Sequence, residues 1–161
     1  MNIRVGFGFD VHPLEANRDL WLGGVKIPSP LGAVGHSDAD VLIHAICDAL
    51  LGAANLRDIG YHFSNTDPRW KDRKSVYFLE EAVRMLLEKG WKVGNVDCTV
   101  CLEEPKVNPH VPEMKRVLSQ LLRVTEDDVS IKATTNEKLG YVGRSQGLNA
   151  YAVALISSVD G

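Results

Sequence analysis

The sequence predicts an α+β fold, a single-domain two-layer sandwich with one mixed β-sheet and helices on one face. Segments that alternate apolar and polar residues interleave with segments of helical spacing. Strand candidates lie close together at both ends of the chain, so hairpin-like antiparallel pairing must accompany any parallel pairs. The 161 residues, 45% hydrophobic and 24% charged, suit one domain spanning 1–161 that can bury a core without a disulfide framework or a structural metal.

The first strand is expected over 2–12, with Ile3, Val5, Phe7, Phe9 and Val11 on one face and Arg4, Gly6, Gly8, Asp10 and His12 on the other. A second strand over 20–28 carries Gly23-Gly24 as a bulge or kink and ends at Pro28 and Pro30. A helix follows Ser37, the expected N-cap, with Asp38 and Asp40 in its first turn, and runs to Ala53. The stretch 55–73 is long for a connection, and long connections are usually functional or mobile. A second helix over 74–89 places Val76, Leu79, Val83, Leu86 and Leu87 at helical spacing and stops at Gly90. A strand over 92–103, a helix over 110–123 and strands over 129–135 and 148–158 complete the pattern.

Several function classes are disfavoured. The net charge is −3 and no basic run occurs, which argues against duplex nucleic acid as a partner. No apolar run is long enough to cross a membrane. The start, MNIRVGFGFD, alternates like a strand instead of carrying a signal-peptide apolar block, so a cytoplasmic location is expected. Cys98 and Cys101 form a CxxC, but on a strand residues three apart diverge to opposite faces, so packing is expected there.

Three constellations could carry chemistry. Asp10 and His12 leave the same strand face, beside two glycines that fill no space, and His44 lies on an apolar helix between Asp40 and Asp48. Two His and one Asp suit a catalytic zinc with one position open, with Asp40 or Asp48 orienting the His44 ring. A hydrogen-bonded cluster without metal is the open alternative. The second is Lys132 to Arg144, where Thr134, Thr135, two lysines and an arginine offer a phosphate cradle and Glu137 offers a ligand for Mg²⁺. A solvated polar loop is its alternative. The third, Glu104 to His110, adds two prolines and Lys106, which could reach a phosphate or base, with a plain strand-to-helix loop as its alternative; His36 precedes the expected helix start, an anion-binding position. A soft-metal site, a hard-metal candidate and anion cradles together suit phosphoryl transfer. Neither a P-loop nor a dinucleotide fingerprint occurs.

Gly8-Phe9-Asp10-Val11-His12, His36-Ser37-Asp38-Ala39-Asp40 with His44, Asp58-Ile59-Gly60, Pro105-Lys106, and Lys132-Ala133-Thr134-Thr135 with Glu137-Lys138-Leu139-Gly140 occur in that order. On these motifs the chain resembles the 2-C-methyl-D-erythritol 2,4-cyclodiphosphate synthases of the non-mevalonate isoprenoid pathway, over essentially its whole length. The resemblance implies a lyase that closes 4-diphosphocytidyl-2-C-methyl-D-erythritol 2-phosphate to the cyclic diphosphate and expels CMP. It implies Zn²⁺ on Asp10, His12 and His44, and Mg²⁺ or Mn²⁺ held between the phosphates by Glu137. His36 and Thr135 match the positions credited with transition-state stabilisation. Substrate contacts are implied for Asp10, Val11, His12, His36 and Ser37, for the sugar-binding turn Asp58, Ile59 and Gly60, and for the mobile loop Phe63, Ser64, Asn65, Thr66 and Asp67. They are also implied for Leu102, Glu103, Glu104, Pro105, Lys106, Val107 and Asn108, with Thr134, Thr135, Asn136, Glu137, Tyr141 and Arg144.

The family is a homotrimer with each site shared between adjacent chains, and its central channel can take isoprenoid diphosphates through an arginine that matches Arg144. The loop here departs from the common pattern at Ser64 and Asn65, as does Asn136 before Glu137, and Gln146 stands where some members have a glutamate. Two other readings stay open on the residues: a zinc phosphohydrolase on the same ligands, and a non-catalytic trimer that senses isoprenoid diphosphates.

Overall fold

A computed structural model describes residues 2–159. Its centre is a five-stranded sheet in the order β4-β1-β7-β5-β6. The strands are β1 (Ile3–Ala16), β4 (Leu31–Ala33), β5 (Trp91–Cys101), β6 (Val129–Thr134) and β7 (Gly147–Ser158). β5 and β6 pair in parallel, and the other neighbours pair antiparallel, so the sheet is mixed as expected. Helices α1 (Val41–Ala53), α3 (Ser75–Glu88) and α4 (Val111–Leu122) carry the helical layer, with α1 against β1 and β7. Short helices α2 (Ile59–His62) and α5 (Gly140–Gly143) sit in the two long connections. Among the described residues no helix is long and apolar enough to cross a membrane.

The segment expected as one strand over 20–28 is instead a hairpin of β2 (Leu20–Leu22) and β3 (Val25–Ile27), a separate two-stranded ribbon. Gly23 and Gly24 have φ of +58° and +77°. Two adjacent residues at positive φ form the tight turn whose twist matches an antiparallel pair, so the glycines reverse the chain where a kink was expected.

Helix α1 begins three residues later than expected. Its N-cap is Asp40, whose carboxylate accepts from Ile43 N at 3.0 Å. The same carboxylate accepts from Gly23 N at 3.0 Å and Gly24 N at 2.7 Å. One buried side chain therefore caps α1 and fastens the hairpin turn to it, which satisfies an acid that has no access to water. His36 is consequently not at a helix start, and Ser37 is not the cap.

The two faces of β1 behave opposite to the simplest expectation. Gly6 and Gly8 are not open site space. A Cβ at Gly6 would lie 1.9 Å from the Ala49 carbonyl oxygen, and one at Gly8 would lie 1.9 Å from that of Ala45. Two strand residues advance about 6.6 Å and one helical turn of four residues about 6 Å, so glycines two apart match alanines four apart. The helix backbone lies directly on the strand there. The other face of β1, with Ile3, Val5, Phe7, Phe9 and Val11, is exposed and continues into Tyr151 and Val153 of β7. Phe7 retains 64% of its surface in water.

The remaining boundaries agree to within a few residues; β1 runs on to Ala16, and the stretch 55–73 holds α2 and a turn of 3-10 helix over Pro68–Trp70. Cys47, Cys98 and Cys101 are buried and free. Burial pushes the Cys98 thiol up to about 12, which makes it a packing residue.

Candidate metal centre and adjoining cavities

The glycine contacts set the register that builds the site. Gly6 faces Ala49 and Gly8 faces Ala45, so the next inward residue, Asp10, meets the turn of α1 that carries His44. His12 follows on the same strand face. Gly35 leaves room for its ring, since a Cβ there would come within 3.0 Å of His12 Cε1.

Three donor atoms converge. Asp10 Oδ2 lies 2.9 Å from His12 Nε2 and 3.1 Å from His44 Nδ1, and the two ring nitrogens lie 3.3 Å apart. The outer nitrogens are tied back. His12 Nδ1 lies 3.0 Å from the Val34 carbonyl oxygen, which can only accept, so the proton sits on Nδ1 and Nε2 keeps its lone pair. His44 Nε2 lies 2.8 Å from Ser75 Oγ. Asp10, His12 and His44 form the one group among the described residues whose ligand atoms could share a metal ion.

Two lone pairs and a carboxylate oxygen facing each other at these separations repel unless a cation or a proton lies between them. Four ligands about 2.05 Å from a tetrahedral Zn²⁺ would be about 3.3 Å apart, so the donor set fits a divalent ion. Without one, protons take the place. Burial alone raises the Asp10 carboxyl, but hydrogen bonds and charge from His12 and His44 outweigh it and hold the pKa at about 2. Burial lowers the His44 imidazole, but the Asp10 hydrogen bond and charge raise it above its ordinary value.

The expected orienting acids do other work. Asp40 is the helix cap described above, and Asp48 accepts from Ile59 N at 2.8 Å, fixing the start of α2. The residue that touches the far side of His44 is Ser75, at the first turn of α3, and Ser75 is held by Asp38. Neither is among the orienting groups the sequence suggests: Asp38 is expected there as a first-turn acid and part of the His36 to Asp40 motif, and Ser75 falls unnamed at the start of the helix over 74–89.

The donors open into a cavity of about 430 Å³ that also takes in His36, Ser37, Ile59, Gly60, Phe63 and Asn65. Trp70 and Phe78, also unforeseen, line it, and Phe63 packs on both at centroid distances of 5.4 and 4.9 Å. His36 Nε2 donates to the Asp67 carbonyl oxygen at 3.2 Å, and Asp72 N donates to the His36 carbonyl at 2.9 Å. The 64–72 segment is thereby strapped to the His36 backbone. Asp58 caps α2 through Tyr61 N at 2.9 Å. The Asp67 carboxylate pairs with Arg69 at 2.6 Å, and Ser64 bonds Thr66. These side chains shape the turn and are not among the residues lining the cavity.

A second cavity, about 240 Å³, is lined by Leu102, Glu103, Pro105, Lys106, Val107, Asn108, Thr134 and Thr135. Leu102 N donates to the Thr134 carbonyl at 3.0 Å, and Asn136 N to Glu103 Oε2 at 3.2 Å, which joins the two stretches. The two cavities are not one. Val11, Asn149, Cys101 and Thr134 are successive partners across β1, β7, β5 and β6. Three strand spacings put the cavities about 14 Å apart at the same sheet end. Val11 points to the open sheet face, and Glu104, Asn136, Glu137, Tyr141 and Arg144 line neither cavity. Glu137 is exposed at φ +50°. Tyr141 Oη accepts from Asn149 Nδ2 at 2.6 Å, and Arg144 Nε donates to Gln146 Oε1 at 3.3 Å.

The model of the YgbB family matches residues 3–157. The 2-C-methyl-D-erythritol 2,4-cyclodiphosphate synthase of Cytophaga hutchinsonii is 60% identical over 156 residues, 97% of this chain and 98% of that one. That of Phocaeicola vulgatus is 59% identical over 99% of this chain and 100% of its own. A solved 2C-methyl-D-erythritol-2,4-cyclodiphosphate synthase in its CDP-bound form superposes with a TM-score of 0.89 at 41% identity, covering 96% of this chain and 100% of that one. The bifunctional IspDF of Campylobacter jejuni superposes at 0.94 and 38% identity; 98% of this chain matches 42% of that longer one.

Proposed function

The chain belongs to the YgbB family, and on that premise we propose that it is a 2-C-methyl-D-erythritol 2,4-cyclodiphosphate synthase. Its substrate is 4-diphosphocytidyl-2-C-methyl-D-erythritol 2-phosphate. An oxygen of the 2-phosphate attacks the β-phosphorus and forms the new P–O bond. The bond from that phosphorus to the bridging oxygen breaks, and CMP leaves with the electron pair. The observation that carries this is the convergence of Asp10 Oδ2, His12 Nε2 and His44 Nδ1 within 3.3 Å at the base of a cavity.

The nucleophile is already an anion, so no strong base is required. The task is to bring like-charged groups together in line, which is positioning and charge neutralisation. Asp10, His12 and His44 would hold a divalent ion, read as Zn²⁺, which would supply positive charge to phosphate oxygens. Glu137 would hold the second ion, Mg²⁺ or Mn²⁺, which would neutralise further phosphate charge. His36 is tied through its ring to the Asp67 backbone, which fixes it at the cavity wall, where it is proposed to help stabilise the transition state. Thr135 takes that role from the second cavity, with the Leu102 to Asn108 segment around the cytosine and diphosphate.

Separation of the two cavities by about 14 Å within one chain supports a site completed by a neighbour. The exposed apolar face of Ile3, Val5, Phe7, Phe9 and Val11 supports the same assembly, a homotrimer of single-domain chains; a cytoplasmic location is proposed with it. Phosphorus NMR tests the reaction: protein with Zn²⁺, Mg²⁺ and the diphosphocytidyl 2-phosphate is expected to yield CMP and cyclic diphosphate signals. CMP with only linear phosphates would convert the reading to a phosphohydrolase. No turnover by metal-loaded, trimeric protein would favour the isoprenoid-diphosphate sensor.

A further inference from the structure

We propose that Ser75 and Asp38 are positioning residues for the metal centre: Ser75 fixes the proton of His44 on Nε2 and so keeps Nδ1 open to the ion. The proposal rests on the reading of Asp10, His12 and His44 as metal ligands.

The argument is a count of protons. Ser75 Oγ touches three groups: the Asp38 carboxylate through Oδ1, His44 Nε2 at 2.8 Å and Ser37 Oγ at 3.4 Å. A carboxylate oxygen only accepts, so the single Ser75 hydroxyl proton is committed to Asp38. Ser75 Oγ then has only lone pairs to offer His44, and the proton of that contact must come from Nε2. A neutral imidazole with its proton on Nε2 has its lone pair on Nδ1, the atom that faces Asp10 at 3.1 Å.

Asp38 cannot swing away from this duty. Its Oδ2 accepts from Ser75 N at 3.0 Å, and Oδ1 also accepts from Asp40 N at 3.3 Å. Both ends of the Ser75 residue are thus gripped by one carboxylate. Ser75 is fully buried, so water does not compete for its hydroxyl. Ser37 Oγ is the second oxygen near His44 Nε2, at 3.3 Å, and it also accepts from Ala39 N at 3.2 Å. The longer contact and the half-buried position rank it below the fully buried Ser75. His12 reaches the same end by a shorter route, through the Val34 carbonyl. Both imidazoles are therefore set in their metal-ready tautomers by the chain itself. A hydroxyl that passes the Asp38 charge toward His44 also raises the basicity of the ligand.

The test is zinc affinity by chelator competition on the full chain, with metal-free thermal midpoints alongside. Ser75→Ala is expected to weaken Zn²⁺ binding about 10- to 100-fold, the usual effect of losing such an outer contact. Ser37→Ala should change it by less, and Ser75→Thr, which restores a hydroxyl, should recover part of the loss. Asp38→Asn keeps an acceptor for the hydroxyl but sets an NH₂ against Ser75 N, so a smaller loss is expected. Combined with Ser75→Ala it should add little, because the two act in one chain of bonds.

In zinc-loaded wild-type protein, ¹⁵N-resolved proton NMR should show a His44 Nε2–H slow to exchange with solvent, a readout that needs no variant to fold. Equal zinc affinity in wild type and Ser75→Ala, or a fast-exchanging Nε2–H in wild type, would overturn the proposal. If wild-type protein itself binds no zinc, the ligand reading fails instead, and the two failures are distinguishable.

Discussion

Replacing Gly8 by alanine tests the register that builds the metal centre. The new Cβ would lie 1.9 Å from the Ala45 carbonyl oxygen and 2.8 Å from Ala49 N, where ordinary contact begins near 3.4 Å. Both obstacles are backbone, so no side chain can rotate away. Helix α1 must move outward by about 1.5 Å to make room for a contact of normal length. His44 rides on that helix while Asp10 stays on the strand. Their 3.1 Å separation would open toward about 4.6 Å, yet two donors each about 2.1 Å from one ion cannot be more than about 4.2 Å apart. Overpacking a core costs about 1–3 kcal/mol, and a rigid backbone obstacle belongs at the upper end. At about 2–4 °C per kcal/mol for a chain of this size, the midpoint should fall by about 6–12 °C.

The assay is calorimetry with zinc stoichiometry on the same samples. Gly52→Ala, on the same helix with nothing within 4 Å of its Cβ, is the control. It should be neutral or stabilise by up to about 1 kcal/mol, since alanine suits a helix better than glycine. If Gly8→Ala melts within about 2 °C of wild type and binds zinc unchanged, the reasoning about the strand–helix contact is refuted.

Three further outcomes are expected. His44→Ala should lose stoichiometric zinc and more than about 100-fold of cyclase rate, beyond the effect of losing an outer contact; metal analysis and turnover that match wild type would contradict the site. If the proposed homotrimer buries the exposed apolar sheet face, Phe7→Arg should shift sedimentation from trimer to monomer, and an unchanged assembly would refute burial of that face.

The pH dependence of the metal-free protein follows from Asp10 and His44. Asp10 is depressed from 3.8 to about 2, so its contribution is present above pH 3.8 and lost as pH falls toward 2. His44 is raised above 6.5, so its contribution is present below pH 6.5 and lost as pH rises through the higher folded value. The urea midpoint of wild type relative to Asp10→Asn should therefore peak between about pH 4 and 6.5; a constant difference across pH would count against the coupled pair.

The donor trio was legible because strand alternation sends Asp10 and His12 to one face and because His44 breaks an apolar helix. The orienting partner was not. Asp40 and Asp48 looked right at four-residue spacing from His44, yet one caps the helix and the other holds α2. Ser75 comes from 31 residues away in sequence, and no local pattern links it to His44. Gly6 and Gly8 were read as open space because a glycine leaves a gap only if nothing else fills it, and here a helix backbone does. The hairpin turn at Gly23-Gly24 was read as a kink because a positive φ at both positions is a backbone property that glycine permits without requiring it.

What the residues alone determined was local and periodic: the mixed α+β pattern, most element positions, the ligand chemistry of Asp, His and His, and the motifs shared with the cyclodiphosphate synthases. Periodicity carries that information because side chains two apart on a strand or four apart on a helix share a face whatever lies opposite. Tertiary structure alone decided which face of β1 is covered, which groups turn the two histidines, and that the two candidate site clusters stand in separate cavities of one chain. Those are contacts between segments distant in sequence, and they depend on where whole elements come to rest.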